Sequence, residues 1–202
     1  MSAKTRNILI IVGVIVVIGL IIFSSLGSTY DKAVALDETV KSQWANVESA
    51  YQRRADLIPN LVNTVKGYAD FEQETLTQVI EARAKATSVN ISPENLNAES
   101  IQQFQQAQQG LSSALSRLLV VVEKYPDLKA NQNFLELQAQ LEGTENRINV
   151  ERNRYNDSVR QYNTYIRGFY RRLILGLTGG DFERKSPFEA REGSDVAPTV
   201  NF

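Results

Sequence analysis

The sequence contains no cysteine and no histidine among its 202 residues. The lack of cysteine excludes a disulfide framework, a thiolate nucleophile and a lipid-bearing cysteine. The lack of histidine removes the commonest general base near neutral pH and the commonest metal ligand. Because no Ser-x-x-Lys pair and no glycine-rich phosphate loop takes their place, we expect a non-enzymatic protein with no cofactor and no small-molecule substrate.

An excess of either charge is also absent, since 22 basic side chains are balanced by 23 acidic ones. This balance excludes a globally basic nucleic-acid binder. Two carboxylates, Glu142 and Glu145, lie three residues apart, but Arg147 is close enough along the chain to neutralise them. We therefore expect no metal site and no nucleic-acid partner.

An uncharged, apolar run extends from Ile8 to Phe23, and two serines and a leucine continue it to residue 26. Nineteen residues in a helix span about 28 Å, which is close to the hydrocarbon thickness of a bilayer. The run therefore predicts a transmembrane helix over residues 8–26. A cleaved secretory signal is the main alternative, because basic residues precede the run and small residues, Ser25 and Gly27, follow it.

Lys4 and Arg6 determine the predicted orientation of this helix. Residues 1–7 carry both cations, whereas the stretch after the helix has no excess of cations. The positive-inside rule then predicts a short basic cytoplasmic N-terminus, a single pass through the membrane and a remainder on the non-cytoplasmic side.

From residue 30 onward, apolar residues recur at helical spacing without a strand pattern, which predicts an all-α domain. We expect helices over about residues 30–56, 59–88, 97–124 and 131–168, joined by short loops. Helices of similar length with short connections favour an up-and-down antiparallel four-helix bundle over residues 27–175. An irregular tail is expected over residues 176–202.

Pro59 has two interpretations, because proline either kinks a long helix or occupies the first turn of a new one. A single helix from residue 30 to residue 88 would leave half of its apolar stripe without a partner. We therefore predict a turn at Pro59.

The fourth predicted helix has the clearest register. Its apolar residues recur every seven positions, as in the knobs-into-holes packing of a coiled coil: Phe134, Leu141, Ile148, Tyr155, Tyr162 and Phe169. In the third predicted helix, six of the eight residues from Gln102 to Gln109 are glutamines. We expect these glutamines on a solvated helix face.

Several motifs resemble the signature of the LemA family and stand in the family's order. They are Gln-Arg-Arg-Ala-Asp-Leu-Ile-Pro-Asn-Leu-Val at 52–62, Val-Lys-Gly-Tyr-Ala at 65–69, Glu72, Glu-Ala-Arg at 81–83, Leu-Glu-Gly-Thr-Glu-Asn-Arg-Ile at 141–148, Arg154-Tyr155-Asn156 with Tyr162-Asn163, and a terminal Pro-Thr-Val-Asn-Phe at 198–202. The resemblance extends over essentially the whole chain from Tyr30.

The resemblance implies a bacterial, inner-membrane-anchored, up-and-down four-helix bundle whose biochemical role is poorly defined. Relatives often have genes beside those of a membrane zinc metalloprotease or of small envelope proteins, and one relative acts in magnetosome membrane formation. Some relatives carry a lipoprotein cysteine, but Leu26-Gly27-Ser28 stand at that place here, so the apolar helix must itself be the anchor.

Two functions are compatible with these features. The first is an interaction or scaffold protein of the bacterial cell envelope, which would bind the lipid bilayer, membrane or envelope proteins, and other copies of itself. The second is an accessory or regulatory subunit of a membrane enzyme such as an envelope quality-control metalloprotease.

Charged residues interrupt the predicted apolar stripes. Glu72 and Arg83 fall on the stripe of the second helix, and Glu145 and Arg152 on that of the fourth. Because an unpaired buried ion costs several kcal/mol, we predict an inter-helix polar network of these residues with Arg53, Arg54 and Asp56. The alternative is a rotated stripe with all of these groups in solvent.

Six arginines and a single acid lie between Arg152 and Arg172, interleaved with aromatic residues. The fourth helix should return to the membrane and, being longer than the others, reach the lipid surface. We expect its end to contact lipid headgroups through Arg167, Phe169, Tyr170, Arg171 and Arg172. The alternatives are a cap on the end of the bundle and nucleic-acid binding. In the tail, Phe182, Phe188, Val200 and Phe202 are candidates for docking on the bundle or on a partner.

Overall fold

The computed structural model describes residues 3–68 and 71–189. Its helices are α1 (Ala3–Lys66), α2 (Gln73–Ser88), α3 (Ala98–Val122), α4 (Pro126–Lys129), α5 (Gln132–Arg167) and α6 (Phe169–Leu177), and the described residues contain no strand. The all-α fold, with one long apolar N-terminal helix followed by a helical bundle, is confirmed. Val200 and Phe202 lie outside the described residues.

The N-terminal part of α1 is a candidate membrane span, since it is long and apolar enough to cross a bilayer. Of the side chains that the structure describes from Ile10 to Phe23, the large apolar ones are at least half exposed. Burial begins at Thr29 and Ala33, where α1 enters the bundle. The large apolar side chains described in this segment are therefore not buried in the bundle.

The predicted turn at Pro59 is wrong, because α1 runs through this residue and ends at Lys66. Proline lacks an N–H, so the carbonyl of Ala55, four residues earlier, cannot receive its usual helical hydrogen bond. Arg83 of α2 donates its Nε–H to that carbonyl at 2.8 Å. The stripe beyond Pro59 also finds partners, since Leu61 and Val65 are fully buried.

Contacts at successive levels give the directions of the longer helices. α1 runs antiparallel to α5 and α2 antiparallel to α3, as shown by contacts of Arg54 with Glu145, Thr29 with Tyr165, Ala86 with Gln108 and Glu72 with Lys124. The helices α3 and α5 begin close to the predicted starts at residues 97 and 131, and an asparagine caps each of them. The Asn97 side chain accepts from Ser100 N–H at 3.0 Å, and that of Asn131 from Phe134 N–H at 3.1 Å.

The core consists of two hydrophobic clusters. The proximal cluster, nearer the apolar N-terminal segment, is rich in aromatic residues and includes Trp44, Tyr51, Phe104, Ile148, Tyr155, Tyr162 and Phe188. The distal cluster is mainly aliphatic and includes Ile58, Leu61, Val65, Leu76, Val79, Leu111, Leu118 and Leu128.

The length of α2 explains why the two clusters differ. This helix has 16 residues and spans about 24 Å, whereas α5 has 36 residues and spans about 54 Å. It therefore covers only the distal cluster. Ile91 and Leu96 of the following loop, together with Phe188 of the C-terminal segment, cover the proximal one.

The seven-residue repeat of α5 buries its residues from Phe134 to Tyr162, although Leu141 is only partly buried. Phe169 departs from this pattern, because its side chain is 92% exposed. The chain changes direction at Gly168, which leaves the helical region with φ −57° and ψ 131°. Phe169 therefore begins α6 instead of continuing the seam.

Candidate functional site

A polar layer separates the proximal cluster from the distal one. Arg54 of α1 lies at its centre, one turn from Tyr51 of the proximal cluster and one turn from Ile58 of the distal cluster. Although it is charged, Arg54 is only 3% exposed. A buried guanidinium requires partners of opposite charge or hydrogen-bonding oxygens.

Those partners come from two other long helices. One terminal nitrogen of Arg54 donates to Glu145 Oε2 of α5 at 2.8 Å and to Ser112 Oγ of α3 at 3.0 Å. The other terminal nitrogen donates to Gln108 Oε1 of α3 at 2.8 Å. Gln108 in turn donates to the Ala86 carbonyl of α2 at 3.2 Å, so the layer joins α1, α2, α3 and α5.

The two charges of this layer differ in exposure. The Arg54 side chain is 4% exposed and the Glu145 side chain 36%. The guanidinium carbon also lies 5.1 Å from the centre of the Tyr51 ring, where a cation is attracted by the aromatic face. The Glu145 carboxylate supplies the opposite charge for this buried cation, whereas Arg54 Nε has no hydrogen-bond partner among the described residues.

A second feature lies where the bundle approaches the apolar segment. Helix α6 buries Ile174 and Leu175 but exposes the apolar residues Phe169, Leu173 and Leu177. Tyr170 forms a 3.0 Å hydrogen bond with Ser25, at the end of the apolar run of α1. The exposed apolar face of α6 therefore stands beside the candidate membrane span.

The arginines predicted to contact lipid surround this face. Arg167, Arg171 and Arg172 are exposed. The Arg171 guanidinium carbon lies 4.4 Å from the centre of the Tyr165 ring. Exposed apolar side chains with adjacent cations are typical of helices that lie in a membrane interface.

A sequence profile of the LemA family matches residues 43–202. The chain therefore belongs to the LemA family. Protein LemA of Metamycoplasma hominis is 24% identical over 63% of this chain and 55% of its own length. Magnetosome protein MamQ 2 of Paramagnetospirillum magneticum is 24% identical over 93% of this chain and 74% of its own length. Magnetosome protein MamQ of Magnetospirillum gryphiswaldense is 25% identical over 89% of this chain and 72% of its own length. The chain thus spans about half the length of the Metamycoplasma relative.

Two of the motifs that resemble the LemA family meet at the polar layer. Arg54 belongs to the motif at residues 52–62, and Glu145 to the motif at residues 141–148. These segments are far apart in the sequence. Their contact places the two motifs side by side in the folded chain.

The other residues of the predicted network lie elsewhere. Arg53 and Asp56 are exposed, and Asp56 accepts a hydrogen bond from Gln52. Glu72 pairs with Lys124 at the distal end of the bundle, at 3.3 Å. Two further members bind backbone carbonyls, Arg83 that of Ala55 and Arg152 that of Glu189. The structure thus brings Arg54 and Glu145 together but not the rest.

Sequence reasoning missed Gln108, which was expected on a solvated face with the other glutamines but is buried. It lies four residues after Phe104 and three before Leu111, both of which are buried. This spacing places Gln108 on the core-facing stripe of α3. The pattern could therefore have singled it out from its neighbours.

A cleft of about 170 Å³ opens beside the layer, between α1 and the end of α2. Glu48 and Gln108 contribute to its lining. Burial raises the pKa of Glu48 above its usual range, and the Trp44 indole lowers it by less. No group of three or more acidic side chains that could hold a metal ion occurs in the described part of the chain. The arrangement is suited to holding helices together.

Proposed function

We propose that the protein is a membrane-tethered, non-enzymatic interaction module of the bacterial cell envelope. Its apolar N-terminal helix would be anchored in the inner membrane, with Lys4 and Arg6 in the cytoplasm. The bundle would stand on the other side and bind membrane or envelope proteins. Membership of the LemA family and the candidate membrane span support this proposal.

The continuity of α1 is the observation that carries the proposal. This helix has 64 residues and includes both the apolar segment and one wall of the bundle, without an intervening loop. The part from residue 27 to Lys66 extends about 60 Å. An anchored α1 would therefore hold the bundle upright and at a fixed height, as a platform for partners requires.

Helix α6 would add a second contact with the membrane. Its exposed apolar residues would enter the interface, while Arg167, Arg171 and Arg172 contact anionic headgroups. The hydrogen bond between Ser25 and Tyr170 supports this placement, because Ser25 lies at the end of the apolar run. The partners are then the lipid bilayer and proteins beside it. The MamQ relatives, which are named magnetosome proteins, are consistent with a role in an assembly.

Photocrosslinking in cells tests the interaction role. A photoreactive amino acid would replace Val120, an apolar residue of α3 that is 69% exposed, or Ile15 within the apolar segment. We expect crosslinks to discrete envelope proteins from position 120 and to membrane components from position 15, and none without irradiation. Mature protein that begins near Thr29 and is released by a salt wash would contradict the proposal.

Quenching by brominated lipid tests the contact of α6. The chain has a single tryptophan, Trp44, which is fully buried and supplies an unquenched background. Phe169→Trp in full-length protein reconstituted in anionic liposomes should be quenched. The matched control Lys66→Trp, at the far end of α1, should not be. Equal quenching at the two positions would remove α6 from the interface.

A further inference from the structure

The C-terminal segment lies in a groove of the bundle without forming a helix. Residues 182–189, here called the strap, run along α5 and rise from the end of α6 to the level of Trp44. The backbone N–H of Ser186 donates to the Leu96 carbonyl at 2.9 Å. The strap is thus held as an extended peptide ligand would be.

Two asparagines of α5 form hydrogen bonds with the backbone of the strap. Asn156 accepts from Phe188 N–H at 2.8 Å and donates to the Phe188 carbonyl at 3.1 Å. Asn163 accepts from Lys185 N–H at 3.1 Å and donates to the Lys185 carbonyl at 2.7 Å. Each amide therefore binds both polar groups of one peptide residue, whatever its side chain.

The spacing of the two asparagines fits an extended chain. They are seven residues apart on a helix, a rise of about 10.5 Å. Lys185 and Phe188 are three residues apart, a distance of about 10 Å in extended backbone. A helical segment would cover less than half of that distance with three residues. The groove therefore selects extended peptides.

Two side-chain sites add sequence preference. Phe188 is 4% exposed and lies between aromatic rings, with ring centres 5.4 Å from Tyr155 and 5.9 Å from Trp44. The Arg152 guanidinium carbon lies 4.6 Å from the centre of its ring. Lys185, which lies three residues before Phe188, forms an ion pair with Asp37 at 3.3 Å. The preferred ligand therefore has a basic residue, followed by any two residues and then a phenylalanine.

We propose that this groove is a binding site for extended peptides, filled by the chain's own strap in an isolated copy and by the strap of a second copy where copies are neighbours. A second copy supplies a ligand that matches every one of these contacts. The linking residues before the strap are not helical, and Gly179 has a positive φ of 70° that suits a change of chain direction. Exchange between copies rests on the proposed tether, which would place neighbouring grooves at the same height.

A synthetic peptide of residues 181–189 tests the groove itself. Full-length Phe188→Ala protein in detergent keeps the groove but weakens its own strap, and should bind the labelled peptide, as measured by fluorescence anisotropy. Adding Asn156→Ala and Asn163→Ala should weaken binding by at least about tenfold, because four hydrogen bonds are lost. A peptide with alanine in place of Phe188 should not bind. Failure of the original peptide to bind a Phe188→Ala protein with a normal helical circular dichroism spectrum would overturn the site.

Mixed single-cysteine variants test the second copy, since the natural chain has no cysteine. Gln105 donates to the Glu189 carbonyl at 3.1 Å, so these two positions report strap binding. Full-length Gln105→Cys and Glu189→Cys proteins in the same liposomes should form a heterodimer with a short bis-maleimide, whereas Lys66→Cys with Glu189→Cys should not. Monomers alone in the first mixture would overturn exchange between copies. Flotation of the same liposomes reports the tether separately.

Discussion

The two halves of the bundle, around the proximal and the distal cluster, have cores of different composition. In the distal half, α1, α2, α3, α5 and the short α4 surround a mainly aliphatic core. In the proximal half, α2 has ended, and large aromatic rings fill the space between four helices (α1, α3, α5 and α6), the loop after α2 and the strap. The loop and the strap, which are not helical, therefore cover the part of the core that the short α2 does not reach.

The comparison shows what an irregular segment needs in order to belong to a core. A helix satisfies its own backbone, but an extended strap cannot, so its buried N–H and C=O groups need outside partners. Asn156, Asn163 and the Leu96 carbonyl supply them. Flat aromatic rings then fill the volume that the missing helical side chains would have occupied.

Substitutions in the polar layer between the two halves should change the free energy of unfolding most. Glu145→Leu leaves the buried Arg54 guanidinium without its carboxylate and should lower the free energy of unfolding by about 4 kcal/mol. Arg54→Met should cost less, because Glu145 is partly exposed and water can solvate it. Urea unfolding of both single variants and the double variant measures this. Equal costs for the two single variants would mean that the layer is not a buried-charge site.

The proximal half should respond next. Phe188→Ala removes a buried ring from among three aromatic neighbours and should cost about 3 kcal/mol. Hydrogen exchange should then increase along the proximal part of α1, around Trp44, and much less near Leu61 in the distal cluster. Phe182→Ala, at a half-buried ring of the same strap, is the control and should cost less. Uniform acceleration of exchange would show that the two halves unfold as one unit.

The distal half contains a smaller, coupled effect at Pro59. Arg83→Met leaves the buried Ala55 carbonyl without its donor and should cost about 1–2 kcal/mol. In a Pro59→Ala background the restored N–H of residue 59 can serve that carbonyl, so the cost should shrink. A double-mutant cycle measures this coupling. Additive costs would show that Arg83 does not replace the lost helical hydrogen bond.

The smallest effect concerns pH at the cleft beside the layer. Burial raises the pKa of the Glu48 carboxyl in the folded chain, so its ionised form is less favourable there than in the unfolded chain. The contribution of Glu48 to stability therefore falls as the pH rises from the unfolded pKa through the folded one. Glu48→Gln should raise the melting temperature slightly at pH 7 and have less effect at pH 4. A stabilisation that grows toward low pH would contradict this sign.

Particular residues show how far the sequence could predict the fold. The apolar residues of α3, from Ile101 through Leu111 to Val122, are buried at the helical spacing from which this helix was predicted. The starts predicted for the third and fourth helices, near residues 97 and 131, agree with α3 and α5, whose first N–H groups the Asn97 and Asn131 side chains satisfy. Helical periodicity and hydrogen bonds at a helix start involve only residues close together in the sequence, so the sequence alone can indicate where a helix lies.

The turn at Pro59 was wrong for a reason that the sequence did not contain. Proline disfavours a helix interior because its ring crowds the carbonyl four residues earlier and leaves that carbonyl in need of another donor. Here that donor is Arg83, on a different helix. The polar network was similarly incomplete, because partners such as Gln108 and Ser112 are chosen by the way α3 faces α1.

The sequence by itself determined that this chain is helical, that its N-terminus is apolar enough to span a bilayer, and that it contains neither cysteine nor histidine. These properties follow from composition and from spacing along one helix. Only the tertiary structure decided that α1 is unbroken, that Arg54 is neutralised by Glu145, and that Phe188 completes the core. Each of these depends on side chains far apart in the sequence, whose proximity is fixed by packing.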